Sequence, residues 1–436
     1  MLRLPVALLV FAAAASAFAL EGELSLDRAL DTPSVWADGD EVFMHDFAPL
    51  GFAFASGRDT ARSTDAALSF LGHPVAEAFA DFRDGKVVRM RFTVYNRGDA
   101  AEELDEAAFA ALARDLDDKL RAWAGRAGRP LSEDSGRQHK RSRQWGRRPV
   151  HVLLEWAYTA PPRGRDASTP FRAEYVRVTL IPFKGSSAAS FTSAKQQITG
   201  YGLKKNVVRH PNGDVLLYGV PMVDQGQKGY CAAATAERLL RYYGRQMDQH
   251  DVARLADTAR ASGTSSDGML QAFHEIARQY QLDVKKLRDP DWKDYQRLIS
   301  DYNRQAKMER LPPLPDYGNV LDINQLYADM DALALKGARL RRKTDFQKFQ
   351  QDIRTYIGNG VPLLWSCIVG KFPENPPLAL QGSGGHLRMI VGYNPKTSEI
   401  LYSDSWGPGH ELKRIPADQA WAILTGLYVV KPRDIR

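Results

Sequence analysis

The 436-residue chain holds only two cysteines, which excludes a disulfide-built scaffold and a four-thiolate zinc centre. Its 34 glycines and 24 prolines are an ordinary share, so collagen-like and low-complexity chains are excluded as well. Beyond Leu20 no uninterrupted apolar run reaches the roughly 18 residues that a membrane helix needs. No repeat of about 20 to 50 residues recurs, which argues against solenoids and propellers. What is present is 44% apolar residues, enough for buried cores, in a length that predicts about two or three domains.

The opening MLRLPVALLVFAAAASAFAL has one charge at Arg3, an apolar stretch from Leu4 to Phe18 and small residues at Ala17 and Ala19. This is the pattern of a secretory signal peptide, expected over residues 1–19. It predicts a secreted or periplasmic protein with no integral membrane segment after removal of the signal. No cysteine stands near the cleavage point to take a lipid anchor.

Charge divides the rest. Residues 20–185 carry 24 Lys and Arg against 26 Asp and Glu; from Ser186 onward the counts are 34 and 26. Between them GSSAASFTSAKQQITG is small and polar, and a linker is expected over 186–211. The remaining expectation is an N-terminal α+β domain at 20–185, of unknown role, and a second domain at 212–436. In the first, VVRMRFTVY (Val87–Tyr95), VHVLLEWAY (Val150–Tyr158) and YVRVTLI (Tyr175–Ile181) alternate as half-buried strands. Phe109, Leu112, Leu116, Leu120 and Trp123 form one stripe of a helix. A helix packed on an antiparallel sheet follows. The run RQHKRSRQWGRR has six fixed positive charges, Arg137, Lys140, Arg141, Arg143, Arg147 and Arg148, and no acid. One tryptophan is no stacking platform for bases, so the run reads as a solvated loop and no nucleic-acid partner is expected.

In the second domain the chemistry lies in YGVPMVDQGQKGYCAAATAERLLRYYG, Tyr218 to Gly244. Ala236, Leu239, Leu240 and Tyr243 mark a helix face, so Cys231 opens a helix, where the positive end of the backbone dipole favours a thiolate. Gly226 and Gly229 let the main chain turn closely past a ligand, with Gly229 and Tyr230 at the approach to the sulfur. Six residues before the cysteine, Gln225 offers an amide that can donate to a developing oxyanion, with the Cys231 N–H as a second donor. Taken alone, Cys231 reads equally well as a small buried residue among alanines.

The second part is GSGGHLRMIVGYNPKTSEILYSDSWGPGHELKRIP, Gly382 to Pro416. His386 begins a strand after Gly384 and Gly385, NPKTSE makes a hairpin turn, and Asp404 ends the returning strand, which brings it beside His386. A carboxylate there fixes the imidazole tautomer and raises its basicity. Cys231, His386 and Asp404 then supply nucleophile, base and orienting group. The other eight histidines, among them His250 and His410, read as structural or surface residues. None forms an i, i+4 ligand pair, so neither a metal nor any other cofactor is expected. Cys367 alternates with Leu363, Trp365 and Val369 and reads as a buried strand thiol; a disulfide to Cys231 is its rival, and connectivity cannot be read from sequence.

These motifs resemble the papain-like cysteine peptidases, most closely the bacterial double-glycine leader peptidase type, cysteine peptidase family thirty-nine. The resemblance rests on Gln225 six residues before Cys231, on HLRMIVGY, on DSWG with Asp404 in the asparagine position, on VPMVDQ and on GTSSDGMLQAF (Gly263–Phe273), and spans about Tyr218 to Val430. It implies an α+β papain-like domain in which the nucleophile's helix packs on an antiparallel sheet. It also implies that Trp406 shields the His386–Asp404 bond from water and that Gly229, Tyr230, Gly385 and Trp406 border the bound substrate, a peptide or protein. The chain lacks the exporter and phosphate loop to which such leader peptidases are often fused. A charged segment from Asp289 to about Lys343, containing LPPLP, reads as helices broken at prolines, and RLRRK (Arg339–Lys343) as a solvated helix end. Two other readings stay open: a non-catalytic peptide- or wall-binding module on the same fold, and an acyl transferase or transglutaminase-like enzyme using the same three residues.

Overall fold

The computed structural model of the protein describes residues 25–54, 58–98, 100, 102–135, 138–160, 170–183, 200–226, 229–245, 247, 249–256, 266–318, 321–375, 384–407 and 409–435. The expected signal peptide lies outside them, as do residues 186–199 of the expected linker. The chain divides into two compact units, Met1–Thr192 and Ser193–Arg436. Among the described residues no helix is long and apolar enough to cross a membrane.

The first unit is built on one antiparallel sheet. Its strands are β1 (Ala53–Phe54), β2 (Thr60–Ser63), β5 (Glu77–Arg83), β6 (Lys86–Asn96), β7 (Arg129–Ser135), β8 (Gln138–Arg147), β9 (Val150–Thr159) and β10 (Arg172–Pro182), and a two-strand hairpin, β3 (Ser69–Phe70) and β4 (His73–Pro74), stands apart. The spatial order is β1-β2-β5-β6-β10-β9-β8-β7. Helix α1 (Glu106–Ala124) is started by the Asp105 carboxylate, which accepts from the Ala108 N–H at 2.8 Å, and is stopped by Gly125 in the left-handed region (φ +67°). Its Phe109, Leu116 and Leu120 join Val152, Leu154, Val178 and Leu180 in one apolar core. The three expected strands and the helix stripe are all present.

The basic run differs from the loop expected of it. It is not a loop: Gln138–Arg147 is β8, paired along its length with β7 and β9. The acids that the run lacks are supplied by its neighbours, with Lys140 2.9 Å from Glu155 on β9 and Arg143 3.2 Å from Asp117 on α1. Arg141 pairs with Asp134 on β7. Of the six positions, Arg137 lies outside the described residues.

The second unit has its own antiparallel sheet, formed by β11 (Val207–Arg209), β12 (Val215–Leu217), β13 (Leu282–Arg288), β14 (Leu363–Val369), β15 (Gly384–Asn394), β16 (Glu399–Ser403), β17 (Lys413–Pro416) and β18 (Leu424–Pro432). The order is β11-β12-β15-β14-β18-β13, with β16 also on β15 and β17 on β16. β11 pairs in that sheet with β12, so residues 207–209 are part of the fold rather than of a linker ending at 211. Helix α2 (Cys231–Tyr242) buries Ala232, Ala233, Ala236, Leu239 and Leu240 in the core with β14, β15 and β18, and Ala234 is buried too. Burial on nearly every side explains why the helix is rich in alanine: larger side chains would hold it off the sheet. Between β13 and β14 run helices α3 (Trp292–Met308), α4 (Ile323–Asp329), α5 (Ala332–Leu340) and α6 (Lys343–Gly358). The segment that breaks them, 311–318, contains the expected prolines.

Candidate active site

Cys231 is the first residue of α2 and half-buried, and its thiol is free, as is that of Cys367. No side chain caps this helix end, so its first-turn N–H groups face the start of the helix without an intrahelical acceptor. One turn on, the Thr235 hydroxyl donates to the Leu387 carbonyl at 3.3 Å, tying the helix to β15 immediately after His386. That tether brings sulfur and imidazole together, and the two side chains share a hydrogen bond.

The ring of His386 is buried, and its Nε2 lies 3.1 Å from Oδ1 of Asp404. This leaves Nδ1 as the ring nitrogen toward sulfur. The hairpin places the acid: Met389 pairs with Ser403 across β15 and β16, so Asp404 follows at the strand end. Trp406 stacks on the imidazole, ring centres 4.5 Å apart and planes within 24°.

Burial acts to raise the Cys231 pKa, but the hydrogen bond and charge of His386, with the Leu387 and Ala232 backbone, outweigh it and the thiol is lowered. Burial acts to lower His386, and Asp404 with Cys231 more than reverse this, so the imidazole is raised. For Asp404 burial would raise the carboxyl; Arg388, His386 and Lys413 instead hold it well below the usual carboxylate range. The three shifts run in the directions that favour a thiolate, an imidazolium and an ionised carboxylate.

Four charged residues that the motifs did not reveal surround this anion. The Arg388 Nε donates to Oδ1 at 2.8 Å, and the Lys413 Nζ is 3.3 Å from Oδ2. Glu374 accepts from Arg388 Nη2 at 2.8 Å, from Lys413 at 2.6 Å and from the Tyr402 hydroxyl at 3.0 Å. Arg238, fully buried on α2 and lowered to about 10 by that burial, donates to the carbonyls of Pro221 (2.8 Å) and Asp404 (2.9 Å) and to the Ser403 hydroxyl. A charged residue inside the apolar strand HLRMIVGY is the one signal that could have flagged Arg388. Arg238 looks in sequence like any surface helix residue.

The N–H of Gln225, a buried residue, donates to the Ser405 carbonyl at 2.8 Å, which holds its segment beside Asp404 and Trp406. Gly226 takes φ +71° there. Gly229 stands two residues before the helix. Tyr230 is corrected: its ring is buried in the core, edge-on to His250 at 5.8 Å, because an aromatic before an apolar helix completes the helix's packing face. Only its main chain is left to border a substrate. Gly385 is exposed, and its N–H donates to Asn324 of α4 at 3.0 Å.

His410 is also nearer than expected, its ring edge-on to Trp406 at 5.5 Å and its carbonyl accepting from the Asp404 N–H. Cys367 is buried directly across from His386 in the β14–β15 register, and burial pushes its thiol up to about 12. Arg339 is not a solvated helix end; its guanidinium lies over Trp421 and donates to the Leu424 carbonyl. Among the described residues no cluster of three or more His, Cys, Asp or Glu could hold a metal ion.

Residues 316–428 match the model of the Peptidase_C39 like family, which supports a C39-like, papain-like cysteine peptidase domain in this part of the chain. The matched stretch includes His386 and Asp404 and stops short of Gln225 and Cys231. No curated protein matches the chain.

Proposed function

We propose that the protein is a secreted or periplasmic cysteine peptidase in which Cys231 attacks a peptide carbonyl. The observation that carries this reading is the continuous chain of contacts from the Cys231 thiol through His386 to Asp404. It joins a helix start to a strand start 155 positions later in the sequence.

In the proposed reaction the Cys231 thiolate adds to the carbonyl carbon. The Cys231 N–H and the Gln225 side-chain amide donate to the oxyanion. Imidazolium His386 gives its proton to the leaving amine, and the acyl-enzyme is resolved by water with neutral His386 as base. Asp404 keeps the ring oriented and stabilises its protonated form. Gly385, exposed beside His386, and Gly229 leave the main chain open to an extended peptide; Trp406 closes the opposite face of the imidazole against water.

A random peptide library incubated with purified protein tests the reading. Hydrolysis is expected, with loss in Cys231→Ala and in His386→Ala. Full turnover by Cys231→Ala would overturn it. Adding an amine acceptor and analysing the products separates hydrolysis from acyl transfer.

A further inference from the structure

Asp404 faces two buried cations with one carboxylate. Arg388 and Lys413 are both fully buried against its two oxygens. Arg388 Nη1 finds no hydrogen-bond acceptor and lies among aromatic rings, with the guanidinium 4.8 Å from the Tyr402 ring centre and 5.5 Å from that of Trp406. An arrangement of two cations and one anion carries a net positive charge. Placed behind the carboxylate, that charge opposes a proton on His386 and so works against the orienting acid.

The balance is restored by Glu374. Its carboxylate receives both Arg388 and Lys413, and its side chain is only 3% exposed. It touches neither His386 nor Cys231 in the described contacts, so it is built into the cation pair and not into the reacting groups. The glutamate is thus buried with two cations and a tyrosine hydroxyl as its partners, which offset the cost of taking its charge out of water.

We propose that Glu374 is a positioning residue for the proposed hydrolysis: a buried counter-ion that cancels the second cation, so that Asp404 acts on His386 as a full negative charge. The inference rests on Cys231 and His386 being the reacting pair. The charged and titratable groups on the elements packed around the His386–Asp404 pair are Cys231 and Arg238 from α2, Cys367 from β14 and Arg388 from the strand of His386. Tyr402 and Lys413 come from β16 and β17, and Asp404, His410 and Glu411 from the segment between those strands. With Glu374 added, the cations Arg238, Arg388 and Lys413 are matched in number by Asp404, Glu374 and Glu411.

The test is charge compensation, read on His386 itself. In full-length protein carrying Cys231→Ala, so that the imidazole titrates without the thiol, the His386 ring signal is followed by NMR against pH and assigned by its disappearance in His386→Ala. Glu374→Gln, nearly isosteric, is expected to lower the His386 pKa by about one unit, the effect of one uncompensated charge across a few ångströms of protein. Lys413→Met is expected to raise it, and the double variant to return it close to the starting value.

A purely structural Glu374 predicts reduced stability without this reciprocal pattern. An unmoved titration in folded Glu374→Gln protein, checked by circular dichroism, overturns the proposal, as does a double variant displaced as far as either single one. Iodoacetamide labelling of the wild-type protein at about pH 6 keeps the two claims apart. An unreactive Cys231 there sinks the peptidase reading, while the titrations alone decide the counter-ion.

Discussion

His386 and Arg388, two positions apart on β15, converge on the same atom: both approach Oδ1 of Asp404, at 3.1 and 2.8 Å. Residues i and i+2 share one face of a strand, so one carboxylate oxygen serves the imidazole and the guanidinium together. The acid is thereby held in place and ionised at once.

Replacing Asp404 by asparagine is therefore a larger change than the loss of one orienting group. Asparagine can still accept from the imidazole, so peptide hydrolysis should fall by about ten- to a hundredfold, less than the loss of roughly a thousandfold or more expected for Cys231→Ala. Stability should suffer separately, by about 3 kcal/mol, because a buried cation is left without its counter-charge. Urea denaturation and kcat/KM measured on the same variant check both parts.

The pH profile of kcat/KM should be broad. Below the lowered pKa of Cys231 the thiolate takes up a proton and attack stops; above the raised pKa of His386 the imidazolium loses the proton that the leaving amine needs. The acid limb should lie below the ordinary thiol range and the alkaline limb above the ordinary imidazole range. An alkaline limb at the value of a free histidine would contradict the coupling to Asp404.

Arg238 is the tie between the nucleophile's helix and the segment that carries Asp404. Methionine there would leave the Pro221 and Asp404 carbonyls and the Ser403 hydroxyl without their donor, at a cost of about 2 to 4 kcal/mol. Thermal denaturation should show the loss, and iodoacetamide labelling of Cys231 near neutral pH should slow as the helix start loosens.

Trp406→Ala should admit water to the His386–Asp404 bond and lower kcat/KM by about tenfold, with the alkaline limb moving toward lower pH. Trp406→Phe keeps an aromatic face and should recover most of the activity. Equal losses in both variants would mean that the stacking seen here does not protect the pair.

Gly407 follows Trp406 in the left-handed region (φ +80°), and a Cβ there would lie 2.8 Å from the Asp224 carboxylate. Gly407→Ala should destabilise by about 1 to 2 kcal/mol through strain and crowding. Circular dichroism melts read it directly.

Much of the candidate site was legible because its signals are local. A cysteine before an alanine-rich amphipathic stretch must begin a helix, and a histidine after two glycines must begin a strand whose hairpin returns at Asp404. Each follows from periodicity and turn chemistry within a few residues. The basic run is not legible as a strand because β8 takes its counter-charges from outside itself: Glu155 and Asp117 are far along the chain, and Asp134 meets Arg141 only through the β7–β8 pairing. Tyr230 was misread for a similar reason: its partner His250 lies on another helix.

By itself, then, the sequence determined where the helix of Cys231 and the strand of His386 begin and which three side chains are candidates for nucleophile, base and acid, since backbone propensity and hydrophobic period act over short range. Only the tertiary structure decided that Arg238, Glu374, Arg388 and Lys413 meet around Asp404. Their buried charges are stable only when opposite charges from separate elements are folded against them, and a condition on distance in space leaves no period or spacing in the chain.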